Sequence, residues 1–309
     1  MTAVGLILLL TAVALLVAVA ALRRDEALGV GEEWPRNVAH RGASAAAPEN
    51  TLEAFRQARA SGAGGLETDV HLSSDGHVVA IHDEMLGRTT DGSGAVRDRT
   101  LEELRSLDAG YRFAPDDTPG DAEESHPYRG QGVRIPTLRE VLREFPGMTV
   151  NLDIKEDQAG IERAVLQEID RAGARDRVLV ASQDGRVISR FRLLSGVGEG
   201  PHVATAASKW EVARFYAFSL LRLEGLLDPP YDSLQIPVDY GGVELATGRF
   251  VEAAHARGVR VDIWTIDEPR RMRRLLELGA DSIMTNRPGE LRRALEFWDG
   301  GDTGYGKDD

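Results

Sequence analysis

Two histidines, three carboxylates, an arginine and a lysine stand at the ends of short apolar runs, where a catalytic rim would gather them. His40-Arg41-Gly42 closes the first run, and Pro48-Glu49-Asn50-Thr51 leads on into a helical pattern. The second run closes on Glu67-Thr68-Asp69, and the two-residue alternation of an extended chain puts Glu67 and Asp69 on one face. Adjacent carboxylates repel unless a cation lies between them, and a hard divalent ion such as Mg²⁺ or Ca²⁺ prefers oxygen ligands. Asp75-Gly76 is a strong hairpin-turn signal; a hairpin centred on it sets His82 opposite Asp69 and brings Asp83 along. In Asn151-Leu152-Asp153-Ile154-Lys155, Asp153 and Lys155 again share a face.

This set suits phosphodiester cleavage. That reaction needs a metal and cationic side chains to neutralise charge at phosphorus, with an acid and a base working near neutral pH. His40 and His82 fit both proton roles, because imidazole titrates near the operating range. No serine, cysteine or threonine nucleophile is required.

The elements that must position these groups alternate in type. Runs of Val, Ile and Ala at 38–40, 65–69, 148–154, 178–182, 202–206, 234–238, 260–266 and 282–285 are separated by amphipathic stretches, among them 51–60, 160–172, 247–257 and 269–278. Eight β/α units predict a (β/α)8 TIM-type barrel with the site at the C-terminal ends of its strands. A β-hairpin inserted after the second strand carries His82. Beyond it lie a short helix at 101–107 and a Pro-, Asp- and Glu-rich surface loop at 114–132. The apolar stretch from Trp210 to Leu227 is read as a buried barrel helix. The alternative reading makes it a hydrophobic wall or interfacial helix that admits an acyl chain.

The chain has 309 residues, which leaves about the length of one barrel once the first segment is set aside. With a net charge of −13 and scattered basic residues, nucleic acid is excluded as a partner. The same field repels an anionic diester at long range, so any phosphate seat must be locally cationic. The absence of cysteine excludes disulfides, thiol catalysis and zinc-thiolate sites. No charged side chain occurs from Ala3 to Leu22, a run long enough to cross a bilayer at about 20 residues. Arg23 and Arg24 directly after it favour a single-pass protein with a cytoplasmic barrel; an extracytoplasmic barrel and a cleaved signal peptide are the alternatives. The expected organisation is an anchor over 1–24, a linker over 25–36, the barrel over 37–298 and a disordered tail over 299–309.

The motifs HRG-x5-PENT from His40, ETD from Glu67, DG at Asp75, HD at His82, RIPTL-x-EVL from Arg134, NLDIK from Asn151, WTID from Trp264 and GADSIMTNRP from Gly279 resemble the signature of glycerophosphodiester phosphodiesterases. The resemblance spans Asn37 to Pro288, and the combined spacing is highly specific. It implies Glu67, Asp69 and Asp153 as metal ligands, Arg41 and Lys155 at the phosphate, His40 and His82 as the acid–base pair, and Trp264 as a wall against the glycerol moiety. The family commonly has Glu where this chain has Asp153, one methylene shorter, which implies an altered metal preference. The implied reaction releases an alcohol and leaves phosphate on glycerol, with glycerophosphodiesters or lysophospholipids as substrates. A phosphoinositide phospholipase C-like cleavage and a non-catalytic, membrane-tethered binding barrel are the rival readings. Glu49 and Asn50 are read as the capping region of the helix that starts at Thr51. His71, His77, His126, His202 and His255 have no motif context.

Overall fold

The computed structural model describes residues 34–115, 126–196 and 201–299. The apolar run at 3–22, the residues around it and the tail from Gly300 lie outside the described residues. No helix among those described is long and apolar enough to cross a membrane.

Eight parallel strands form the barrel: β1 (Asn37–Ala39), β2 (Gly65–Leu72), β4 (Thr149–Ile154), β5 (Val178–Ala181), β6 (Ala204–Thr205), β7 (Ser233–Ile236), β10 (Arg260–Ile263) and β11 (Ser282–Thr285). They pair in the order β6-β5-β4-β2-β1-β11-β10-β7, and a parallel bridge between Ala206 and Ser233 joins the last strand to the first. All eight fall on the apolar runs of the sequence. The helices packed outside are α1 (Leu52–Ala60), α3 (Leu138–Glu144), α4 (Ile161–Arg171), α5 (Gly185–Ser195), α6 (Lys209–Leu220), α7 (Gly248–His255), α8 (Pro269–Glu277) and α9 (Pro288–Asp299). The excursion between β3 (Val78–Ala80) and α3 carries the short helix α2 (Leu101–Ser106), whose first turn is closed by a Thr100–Glu103 capping box.

Strand alternation sorts the side chains. Val150, Leu152 and Ile154 of β4 face outward and pack with Val165 and Ile169 of α4. Asn151, between them, points inward, where Gln235 donates to its Oδ1 at 2.8 Å. Each fully buried aliphatic or Phe side chain stabilises the fold by about 1.5–3 kcal/mol, so the outward faces of the strands hold the barrel together and leave its C-terminal rim available for polar groups.

Two expectations need correction. The β2–β3 hairpin has a three-residue loop rather than a two-residue one. The Ser73 N–H donates to His77 O at 2.9 Å, the Gly76 N–H returns to Ser73 O at 3.1 Å, and Gly76 sits at φ +83°, a left-handed position that closes a turn of this length. The register therefore shifts by one: Ile81, not His82, pairs with Asp69, through an Ile81 N–H to Asp69 O bond of 3.0 Å. The stretch from Trp210 is not a buried helix. α6 buries Phe215 and Ser219, while Trp210 is 81% exposed and Leu220, Leu221, Leu223 and Leu226 also face solvent.

Candidate active site

The turn after β1 is built by conformation as much as by side chains. Arg41 (φ +57°) and Gly42 (φ +85°) are both left-handed, and a Cβ on Gly42 would lie 2.7 Å from the backbone of Ala54 in α1. Only glycine lets α1 come so close. The reversal aims the Arg41 backbone N–H at Glu67 Oε2 (2.8 Å) and its guanidinium Nε at Asp69 Oδ2 (3.2 Å).

Asp69 is the electrostatic centre of the rim. Its carboxylate, 1% exposed, meets Lys155 Nζ at 2.7 Å through Oδ1, and Asn50 Nδ2 donates to Oδ2 at 2.8 Å. Lys155 also reaches Asp153 Oδ2 at 2.6 Å, because β2 and β4 pair Asp69 directly with Asp153. Burial alone would push the Asp69 carboxyl up, but Lys155, Arg41 and His82 outweigh it and hold it at about 2. Glu67 goes the other way: burial, then the Asp69 charge, push it well above the ordinary carboxylate range. Burial would lower Lys155, but Asp153 first, then Asp69 and Glu67, raise it.

Both histidines interact electrostatically with Asp69. His40 Nδ1 lies 2.8 Å from Asn286 Oδ1, and the Asn286 amide nitrogen donates to Asp267 Oδ2 at 2.7 Å. A carboxylate only accepts, so the amide must present its oxygen to His40, which makes Nδ1 the donor and leaves Nε2 with its lone pair. Burial, then the charge of Arg41, hold His40 below the ordinary imidazole value. His82 Nδ1 lies 2.6 Å from Asp83 Oδ1, so here too Nδ1 donates and Nε2 is left over. Asp83 is held at about 2, chiefly by Arg88, whose guanidinium also clamps Glu49 through two hydrogen bonds of 2.7 and 2.8 Å.

Several contributors had no place at the site in the sequence reading. Thr51 caps α1 through Ala54 N, so Glu49 and Asn50 are not the cap. Glu49 ties Arg41 to Arg88, and Asn50 Oδ1 accepts from Thr68 Oγ1 and the Asp69 N–H. Asn286 and Asp267 lie in the GADSIMTNRP and WTID motifs, and those motifs were the available signal. His71 is buried, with Nε2 3.0 Å from His82 O and Nδ1 3.0 Å from Glu156 Oε1. It thereby links the His82 loop to the segment after Lys155, and nothing local in the sequence marks it.

Among the described residues no group of three or more His, Asp or Glu is placed to share one ion. Glu67 and Asp69 nonetheless suit a hard dication. Asp69 Oδ1 is buried without a hydrogen bond and has only the Lys155 ammonium against it, and Glu67 is buried beside it. Asp153, the third expected ligand, is engaged by Lys155.

Beyond Asp153 the rim opens into a cavity of about 430 Å³ lined by Trp264, Tyr216, Val212, Ala213, Val243 and Leu245 among others. The small hairpin β8 (Asp239–Tyr240) and β9 (Val243–Glu244) forms one lip. Its Gly241-Gly242 turn, between Tyr240 and Val243, is a hairpin signal the sequence reading passed over.

A model of the glycerophosphoryl diester phosphodiesterase family matches residues 40–290. The glycerophosphodiester phosphodiesterase of Caldanaerobacter subterraneus is 34% identical over 267 residues, covering 82% of this chain and 95% of that protein. Among solved structures, the glycerophosphoryl diester phosphodiesterase domain of a Mycobacterium tuberculosis protein superposes with a TM-score of 0.72 at 25% identity, covering 86% of this chain and 100% of that domain. A phosphodiesterase of Oleispira antarctica, solved with the product sn-glycerol-3-phosphate, gives 0.66 at 27% identity, covering 85% and 97%.

Proposed function

Because the chain belongs to the glycerophosphoryl diester phosphodiesterase family, we infer that its rim hydrolyses a glycerophosphodiester to sn-glycerol 3-phosphate and an alcohol, or to lysophosphatidic acid where the glycerol is acylated. The observation that carries this reading is the matched pair of imidazoles. Each has Nδ1 committed to a side-chain oxygen and Nε2 left for proton transfer, and both interact electrostatically with Asp69, which Arg41 and Lys155 hold.

Arg41 and Lys155 seat the phosphate, and Trp264 bounds the glycerol. Burial and Arg41 keep His40 neutral near pH 7, so His40 takes the proton of the glycerol 2-hydroxyl as that oxygen bonds to phosphorus. The bond from phosphorus to the departing alcohol breaks, and His82, its imidazolium charge balanced by Asp83, protonates the leaving oxygen. Water then opens the cyclic phosphate with the roles reversed: His82 takes the water proton and His40 returns one to the 2-oxygen. A diacylated glycerol lacks that hydroxyl and is a poor substrate.

Glu67 and Asp69, joined by Asp153 once Lys155 turns to the phosphate, would hold Mg²⁺ or Ca²⁺, whose charge at the phosphoryl oxygens is the chemistry it supplies. The apolar run at 3–22 anchors the protein in a membrane, and Arg23 and Arg24 place the barrel on the cytoplasmic side. Accessibility of an engineered cysteine in the barrel to an impermeant reagent reads that orientation.

Turnover of glycerophosphocholine by the full chain, with product identification, tests the assignment. We expect glycerol 3-phosphate and choline, and a loss of at least about 10²-fold for His82→Ala. Phosphocholine as product would establish a phospholipase C-like cleavage instead. Binding without turnover would establish a binding barrel.

A further inference from the structure

We propose that His71 is a positioning residue for the leaving-group step: its side chain fixes the backbone of His82, so that the His82 imidazole reaches the departing oxygen. The proposal rests on the phosphodiesterase reading above, in which His82 is the acid, and adds what holds that acid in place.

The alternation that groups Glu67 with Asp69 puts His71 on the same face of β2, one step nearer the C-terminal rim. There it is 2% exposed. None of the catalytic steps uses it. β3 pairs with β2 only as far as Val70 with Ala80. The Ile81 N–H still reaches Asp69 O at 3.0 Å, and after that bond the chain leaves the sheet. His82 is the next residue, and here a side chain takes over from the backbone ladder. His71 Nε2 lies 3.0 Å from the His82 carbonyl oxygen. A carbonyl only accepts, so Nε2 carries a proton and donates. On the other edge of the ring, Nδ1 faces Glu156 Oε1 at 3.0 Å, directly after Lys155 in the chain. One buried ring thus spans from the backbone of the acid to the segment that carries the phosphate-binding lysine.

Asp83 and His71 hold His82 in different ways. Asp83, 2.6 Å from His82 Nδ1, sets how the imidazole is turned, but it is the next residue and travels with the same loop. Arg88 ties that loop to Glu49 from a position 45% exposed, where water and salt weaken an ion pair. His71 belongs to a barrel strand and acts from the interior, so it fixes the point from which the imidazole extends. A proton donor must come within about 2.6–3.2 Å of the oxygen it serves, and a misplacement of about 1 Å costs about 10²-fold.

Release of the alcohol in single turnovers of the full chain reads this step, and two substrates are compared. In glycerophosphocholine the bond from phosphorus to the choline oxygen breaks with its electron pair on that oxygen, which takes a proton from His82 Nε2. In glycerol 3-(4-nitrophenyl) phosphate the 4-nitrophenolate departs with the pair and needs no proton. We expect His71→Ala to slow choline release about 10²-fold and 4-nitrophenolate release by less than about tenfold. The ratio is taken within one preparation, so a lower folded fraction cancels. His71→Gln keeps an amide N–H near the place of Nε2 and should stay within about threefold of the parent on both substrates, whereas His71→Asn reaches only the place of Nδ1 and should fall with the alanine variant. Equal losses on both substrates from His71→Ala, as general loosening of the barrel would give, overturn the proposal. A glutamine variant as slow as the alanine one, or an asparagine variant as fast as the parent, overturns it too. His82→Ala separates the proposal from the reaction scheme beneath it. If His82→Ala discriminates between the substrates and His71→Ala does not, only the His71 assignment is rejected. If His82→Ala slows both equally, the acid role of His82 is rejected and the proposal with it.

Discussion

Asn286 presents its side-chain oxygen to His40 at 2.8 Å while its nitrogen is held by Asp267 at 2.7 Å. The Asn286 Oδ1 also accepts from Ser44 Oγ at 2.7 Å, so its position is fixed from three directions. This arrangement makes the tautomer of His40 a consequence of a residue 246 positions away in the chain.

Asn286→Ala should therefore act on chemistry more than on binding. His40 keeps its place in the turn but loses the bond that orients its ring, and a misplacement of this kind costs about 10²-fold in kcat. The split of KM against kcat is the readout. A raised KM with kcat unchanged would mean that Asn286 touches substrate and does not position His40.

Gly42→Ala should destabilise the barrel. The new Cβ must adopt φ +85° and sit 2.7 Å from Ala54, strain and overlap together worth roughly 2–3 kcal/mol. Thermal denaturation followed by circular dichroism measures the loss, and a melting temperature equal to that of the parent would contradict the close approach of α1.

The acid limb of kcat/KM should lie below pH 6.5, the ordinary imidazole value. His40 acts as a base only when unprotonated, and burial with Arg41 lowers its pKa. Activity should thus persist as the pH falls through 6.5 and decline only below it. An ion held at Glu67 and Asp69 would move the limb further in the same direction. A limb at or above 6.5 would remove His40 from the role of base.

Glu67→Gln separates the cost of the buried carboxylate from its use. Without a metal, burial and Asp69 disfavour the Glu67 charge, so the neutral variant should melt no lower than the parent in the presence of a chelator. The rise in melting temperature that Mg²⁺ or Ca²⁺ gives the parent should disappear in the variant. A metal-induced shift of equal size in both proteins would place the ion elsewhere.

Much of this architecture is legible locally. Alternation in 65–72 and 149–154 sets which side chains of β2 and β4 enter the barrel, because extended backbone repeats every two residues whatever surrounds it. Glu67 with Asp69, and Asp153 near Lys155, could be grouped on that ground alone. The hairpin register could not, since Asp75-Gly76 serves loops of two or three residues and a single step moves Asp69 from His82 to Ile81. The exposure of α6 was equally hidden: its apolar residues encircle the helix instead of forming one stripe, and only its neighbours Phe250 and the β8–β9 hairpin decide what is covered.

The amino-acid sequence by itself determined the succession of strands and helices and the polar groups at their ends. Backbone periodicity and residue chemistry act within a few positions, and both are written in the order of residues. Barrel closure decided the rest: Asn286 behind His40, Lys155 between Asp69 and Asp153, Asn50 beneath Asp69, and an apolar hollow next to them. Those partners meet because a closed sheet brings its first and last strands into contact and stacks neighbouring strands in a particular register. No local rule carries that distance.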